Sequence, residues 1–144
     1  MAVSHILGVK GRNVFTVRPT DTVDAVAKLL VEKRIGAVVV TDDKGHIAGI
    51  VSERDVVKHI ALDGAAVLKK LASEIMSRNV RTCQDGDSEQ ELMALMTTRR
   101  VRHLPVVKAG KLDGMISIGD VVKFRIETIE REAEDMKAYI AGAA

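Results

Sequence analysis

The chain has 144 residues and a mass of 15.6 kDa, with 47% apolar and 29% charged residues, enough for a core and unlike a disordered tail. Its 22 basic and 20 acidic side chains leave a net charge of +2, and its aromatics are Phe15, Phe124 and Tyr139, which argues against a nucleic-acid partner. No apolar run reaches the ~18 residues of a membrane span, the start MAVSHILGVKGRN lacks the apolar stretch of a secretory signal, Cys83 stands alone and His5, His46, His59 and His103 lack metal-ligand spacing, so a soluble, cytoplasmic chain without a metal is expected.

Arg12-Asn13-Val14-Phe15-Thr16 returns as Arg78-Asn79-Val80-Arg81-Thr82, an offset of 66 that continues through Asp21/Asp87, Leu29/Leu95, Arg34/Arg100 and Val40/Val106. One residue then drops out, and an offset of 65 runs through Gly45/Gly110, Gly49/Gly114, Ser52/Ser117, Asp55/Asp120, Val56/Val121, Val57/Val122 and Lys58/Lys123. Average residue usage gives only about three such identities by chance, so the chain contains an internal repeat.

Each repeat opens with a short extended piece, at residues 14–17 and 80–83. Asp21 and Asp87 are the expected N-caps of the next helix, with Asp24 and Gln90 at capping-box spacing. The first of these helices should bury Val23, Val26, Ala27, Leu29 and Leu30, and the second Leu92, Met93, Leu95 and Met96. Both end at basic pairs, Lys33-Arg34 and Arg99-Arg100, which complement a helix C-terminus. Two strands follow: residues 37–41 and 47–51 in one repeat, 103–107 and 112–116 in the other, joined by turns at 42–45 and 108–110. Pro105 within a strand predicts an edge or strand-start position. A last helix opens on Ser-x-x-Asp.

The reading is therefore α+β (α/β), with two β-α-β-β-α motifs at residues 8–62 and 75–126, a partly helical linker at 63–74 and a C-terminal helix at 127–144. A unit of about 50 residues buries too little surface to stand comfortably alone. The repeats are expected to pack with pseudo-twofold symmetry, leaving clefts where they meet. Along the C-terminal helix Val122, Ile126, Ile129, Ala133, Met136 and Ile140 are spaced 4, 3, 4, 3, 4, a heptad seam. Such a seam fits either a helix folded back on its own domain or a subunit contact, and a homodimer through this helix is the expectation.

Gly49-Ile50-Val51-Ser52-Glu53-Arg54-Asp55 and Gly114-Met115-Ile116-Ser117-Ile118-Gly119-Asp120 resemble the G-h-h-S/T-x-x-D signature of CBS domains, where h is apolar. Arg102-His103-Leu104-Pro105-Val106-Val107 is similar to the strand that precedes the signature in that family. Over about residues 8–126 the chain resembles a stand-alone CBS pair, or Bateman module. The resemblance implies a non-catalytic regulatory sensor with no catalytic cofactor. It also implies an adenine nucleotide as ligand, AMP first, with NAD or ATP as alternatives. The ligand would change the angle or stability of the pair, and an unidentified partner would read that change in trans. A constitutive dimerisation scaffold with empty clefts is the alternative.

Ser52 with Asp55, and Ser117 with Asp120, read as capping boxes. The same helix N-termini offer free N–H groups to phosphate or ribose oxygens, and an Asp can accept from a ribose diol. The resemblance implies that Asp55 and Asp120 meet ribose, in a crossed pattern. One site would combine Ser52 and Asp55 with Val80, Thr82, Arg102, His103 and the neighbouring Pro105. The other would combine Ser117 and Asp120 with Val14, Thr16, Gly36 and Ala37. Arg102 and His103 offer charge-assisted hydrogen bonds to phosphate at the first site, whereas the second must draw on Arg54, Lys10 or Arg12. Thr16 and Thr82 also read as ordinary strand residues, His103 as a satisfied strand histidine and Cys83 as a small buried hydrophobe. Ser52, Asp55 and His59 form a stripe on one helix face, not the convergent geometry of a catalytic triad.

Overall fold

In the computed structural model, which describes residues 2–143, the apolar run Ala37–Thr41 becomes the central strand of a three-stranded sheet. Strand β1 (Thr16–Val17) lies parallel to β2 (Ala37–Thr41), and β2 is antiparallel to β3 (Ile47–Ser52). Val38, Val39 and Val40 are fully buried, which is why this strand is continuously apolar and not alternating. In the second repeat β4 (His103–Lys108) and β5 (Lys111–Ser117) pair antiparallel, and the opening strand shrinks to a single parallel bridge between Cys83 and Val106.

Pro105 accounts for that difference. It sits within β4 opposite Met115, not at the strand start. Its carbonyl accepts from the Cys83 N–H at 3.0 Å, so its ring nitrogen faces the same side. It has no N–H for the next rung, and the ladder stops there. The expected edge position thus holds only in part: β5 pairs one side of β4, and the other side carries the single Cys83 bridge before the ladder ends.

Helices α2 (Val23–Lys33) and α5 (Glu89–Arg99) are capped one residue later than the sequence suggests. Thr22 Oγ1 accepts from Ala25 N, and Ser88 Oγ from Glu91 N, each at 3.2 Å. Asp21 and Asp87 instead accept from the backbone N–H groups of Arg18 and Gln84 at 2.8 Å, closing the preceding turns. At the other ends Arg34 and Arg100 are the C-caps, both left-handed at φ 55°. Leu92 and Met96 are buried as expected, but Met93 is 47% exposed.

Two cores result. The first gathers Val23, Val26, Leu30, Val38, Val51 and Val56 with Val67, Ala72 and Ile75. Val67 lies on a 3₁₀ turn (Ala65–Lys69), and Ala72 and Ile75 lie on α4 (Ala72–Ile75), so the expected linker is itself packed. The second core gathers Leu92, Met96, Leu104, Val106, Ile116 and Val121 with Val3, Ile6 and Leu7. Those last three belong to α1 (Ala2–Lys10), a helix the sequence reading did not contain.

The segment before each repeat covers the sheet of the other. A Cβ on Gly114 would lie 2.8 Å from Leu7 Cδ1, and one on Gly49 would lie 2.6 Å from Met76 Sδ and 2.8 Å from the Ser77 carbonyl. Glycine at both repeat positions is what permits that approach. Helix α3 (Glu53–Asp63) stops at Gly64, which has φ 79°. Its counterpart α6 (Ile118–Ala143) runs on for 26 residues without a break near residue 127, and residue 144 of the expected C-terminal helix lies outside the described residues. Among the described residues no helix is long and apolar enough to cross a membrane.

Candidate functional site

The last helix of the first repeat begins at Ser52 because two groups cap each other there. Asp55 N donates to Ser52 Oγ at 3.2 Å, while Asp55 Oδ2 accepts from Ser52 N at 2.8 Å and Ser52 Oγ at 3.0 Å. That geometry occupies one carboxylate oxygen and leaves Oδ1 without a partner among the described residues. The second repeat caps α6 the same way, with Ser117 N to Asp120 Oδ2 at 2.9 Å and Asp120 N to Ser117 Oγ at 3.2 Å.

Between the repeats lies a cleft of about 450 Å³, the size of a small-molecule site. Ser52, Arg54, Asp55, Val80, Arg102 and His103 line it, as do Gly36 and Ala37. The structure therefore brings together most of the residues assigned to the first site, and adds three that the sequence placed in the second: Gly36, Ala37 and Arg54. Thr82 is exposed and outside the lining, which takes its neighbour Arg81 instead. Pro105 is buried in β4 and also outside the cleft.

Backbone pairing explains the presence of Gly36. Glu53 N donates to the Gly36 carbonyl at 2.9 Å, and its repeat equivalent, Ile118 N, donates to Arg102 at 2.8 Å. Gly36 and Arg102 are thus equivalent positions on either side of the pseudo-twofold. A Cβ on Gly36 would come within 3.1 Å of His103 Cε1 and 3.2 Å of Glu53 Oε1. Burial, reinforced by Lys10 and Arg102, holds the His103 imidazolium below its ordinary value against the opposing pull of Asp120 and Glu53.

Sequence reasoning missed Arg81 and Arg100, whose side chains complete a set of four arginines with Arg54 and Arg102. None of the four has a carboxylate partner among the described residues. The available signal was the basic cluster around residues 99–102, which also reads as a solvated helix end. Arg100 reaches the cleft because its left-handed cap turns the chain there.

The second site is assembled differently. Lys10 Nζ donates to Asp120 Oδ2 at 2.7 Å and to the Met115 carbonyl at 3.0 Å. Burial alone would raise the Asp120 carboxyl, but Lys10 and Ser117 outweigh it and hold it below the usual carboxylate range. Asp120 shares a pocket of only about 50 Å³ with α1 residues, and Thr16 lines a separate polar hollow with Arg18, Asp21 and Asp42. Val14 is half-buried before β1. Ser117 and Asp120 are thus not brought together with Thr16, Gly36 and Ala37 around one cavity. Arg12 is not available for phosphate either: its guanidinium meets Asp113 at 2.6 Å and Asp85 at 3.1 Å. Burial pushes the Cys83 thiol up to about 12, so it is inert.

Two repeats, two mutually capped helix starts and one large cleft between them match a known family. The CBS-domain family model covers residues 4–62 and 72–127. The chain belongs to the CBS-domain family. Stand-alone CBS pairs share its architecture: a CBS-domain protein of Agrobacterium tumefaciens, ATU1752, superposes with a TM-score of 0.83 at 48% identity, over 85% of this chain and 98% of that one. CBSX2, solved in complex with AMP, superposes with a TM-score of 0.70 at 29% identity, over 82% of this chain and 91% of that one. Among curated relatives, the mitochondrial CBS-domain protein CBSX3 of Arabidopsis thaliana is 33% identical over 126 residues, 85% of this chain. This CBS pair spans 61% of that relative's length.

Proposed function

We propose that this CBS pair is a regulatory sensor of adenine nucleotides, carries out no chemistry of its own and acts in trans on a partner protein. One observation carries the reading. The cleft holds a half-free carboxylate, Asp55, at a helix N-terminus and four unpaired arginines around the same space. Asp55 Oδ1 suits a ribose hydroxyl donor. Arg54, Arg81, Arg100 and Arg102 suit phosphate, because a dianion relieves their mutual repulsion and accepts bidentate hydrogen bonds. The CBSX2 structure, with its AMP, supports the ligand class.

The same cleft disfavours a cationic adenosyl compound. A sulfonium beside four guanidinium groups adds repulsion, so AMP, ADP, ATP and NAD should bind ahead of S-adenosylmethionine. The sensing step is differential affinity: a ligand touching both repeats favours one relative placement, and the partner binds that state better. We place the protein in the cytoplasm as a homodimer.

The test is a thermal melt and calorimetric titration against AMP, ADP, ATP, NAD, adenosine and S-adenosylmethionine. A ligand of the folded state raises the melting temperature by mass action. Phosphorylated nucleotides should do so and the sulfonium compound should not. Identical melts with every compound at millimolar concentration would reject the sensor and leave a scaffold with empty clefts.

A further inference from the structure

We infer that α6 pairs with α6 of a second copy of this chain as a parallel two-stranded coiled coil, its direction fixed by the charges beside the apolar seam. This rests on the homodimer reading above and is independent of the nucleotide.

Every residue from 129 to 142 is exposed, so about half of a 26-residue helix is left uncovered by the rest of the described chain. A solitary helical extension of that length is marginal in water. Its seam is apolar nonetheless: Val122, Ile126, Ile129, Met136 and Ile140 are each 49–61% exposed. The stripe also continues onto the body of the protein through Ile118 and Met93, both about half exposed. The unpartnered face is therefore longer than the free part of the helix.

The flanking charges decide the partner's direction. With Ile126, Ala133 and Ile140 as a positions and Val122, Ile129 and Met136 as d positions, the g positions include Arg125 and Glu132, and the e positions are Lys123, Glu130 and Lys137. In a parallel pair each g residue faces the e residue five positions on in the other helix. That sets Arg125 against Glu130 and Glu132 against Lys137, each twice by symmetry. An antiparallel pair over the same seam sets Glu130 against Glu130, Glu132 against Glu132 and Lys123 against Lys137. Both charged contacts of the parallel arrangement are complementary, whereas the antiparallel one sets like charges together at three contacts and Arg125 against Tyr139 at the fourth. Arg125 also lies 3.4 Å from Glu89 Oε1, which orients the guanidinium from behind and leaves it half exposed.

Two measurements on the full chain test this. Met136→Cys places thiols face to face in a parallel pair, whereas an antiparallel pair holds them about 15 Å apart, beyond disulfide reach. The native Cys83 is buried and does not interfere. Lys137→Glu should weaken the dimer about tenfold in sedimentation, because it sets like charges together twice, and adding Glu132→Lys should restore it. Self-crosslinking of Met136→Cys with that loss and rescue supports the inference. A dimer that fails to crosslink and tightens with Lys137→Glu is antiparallel, which overturns the inference and keeps the dimer. A trimer overturns the two-stranded assignment. A monomer at tens of micromolar overturns both.

Discussion

Lys10 Nζ lies 2.7 Å from Asp120 Oδ2, whereas Asp55, at the matching helix start of the other repeat, has no such cation among the described residues. One ion pair thereby gives two related helix starts different chemistry. At Asp120 the carboxylate oxygen Oδ2 is taken by that ammonium and by the Ser117 N–H.

Binding should therefore be one nucleotide per chain, in the Asp55 cleft. Asp55→Ala is expected to weaken AMP by about 1–3 kcal/mol, the cost of losing a charged hydrogen-bond acceptor. Asp120→Ala should weaken AMP far less than Asp55→Ala does, because that carboxylate meets Lys10 and lies outside the cleft lining. Calorimetry giving two sites in the parent and one in Asp120→Ala would refute the assignment.

The arginines should report phosphate and nothing else. Arg102→Ala is expected to cost about 1.5–3 kcal/mol of AMP affinity, as for hydrogen bonds between charged groups, and to leave adenosine affinity unchanged. Equal losses for the nucleoside and the nucleotide would move Arg102 away from the phosphate.

Stability should fall in mild acid. The folded state holds the His103 pKa below its ordinary 6.5, so the unfolded chain binds this proton more readily. The contribution is complete above pH 6.5 and is lost as pH falls through the window beneath it. Asp120, depressed below 3.8, adds a loss of the same sign only at much lower pH. Melting temperatures of the parent should decline from pH 7 towards pH 5, and His103→Gln should flatten that decline. A parallel decline in both proteins would exclude His103 as its source.

Helix α1 should behave as part of the second core. Leu7→Ala is expected to destabilise by about 2–5 kcal/mol, and Gly114→Ala, which intrudes on Leu7, by about 1–3 kcal/mol. The double variant should be more stable than the sum predicts, because the new methyl fills space the lost isobutyl leaves. Denaturant unfolding showing additivity within about 0.5 kcal/mol would mean the two side chains are not in contact.

How much of this was legible follows from the range of the interactions. The β2–β3 and β4–β5 hairpins and the Ser52–Asp55 and Ser117–Asp120 boxes were readable, because each is set by residues close in sequence. The caps at Thr22 and Ser88 were misplaced by one residue, since Asp and a hydroxyl residue stand side by side and only the backbone path decides which reaches the helix. Arg81 and Arg100 were missed because their approach to the cleft depends on how the two repeats dock.

The sequence by itself determined the duplication, the order of elements in each repeat, the paired Ser-x-x-Asp helix starts and the heptad seam, all of which are periodic or local patterns. The tertiary structure alone decided that α1 completes the far core and that Lys10, 110 residues away in the chain, neutralises Asp120 and not Asp55. Local propensity and spacing carry no information about which surface a lead-in segment covers. That choice is made by long-range burial, here by Leu7 fitting over Gly114 in the second repeat while Met76 takes the matching place over Gly49 in the first.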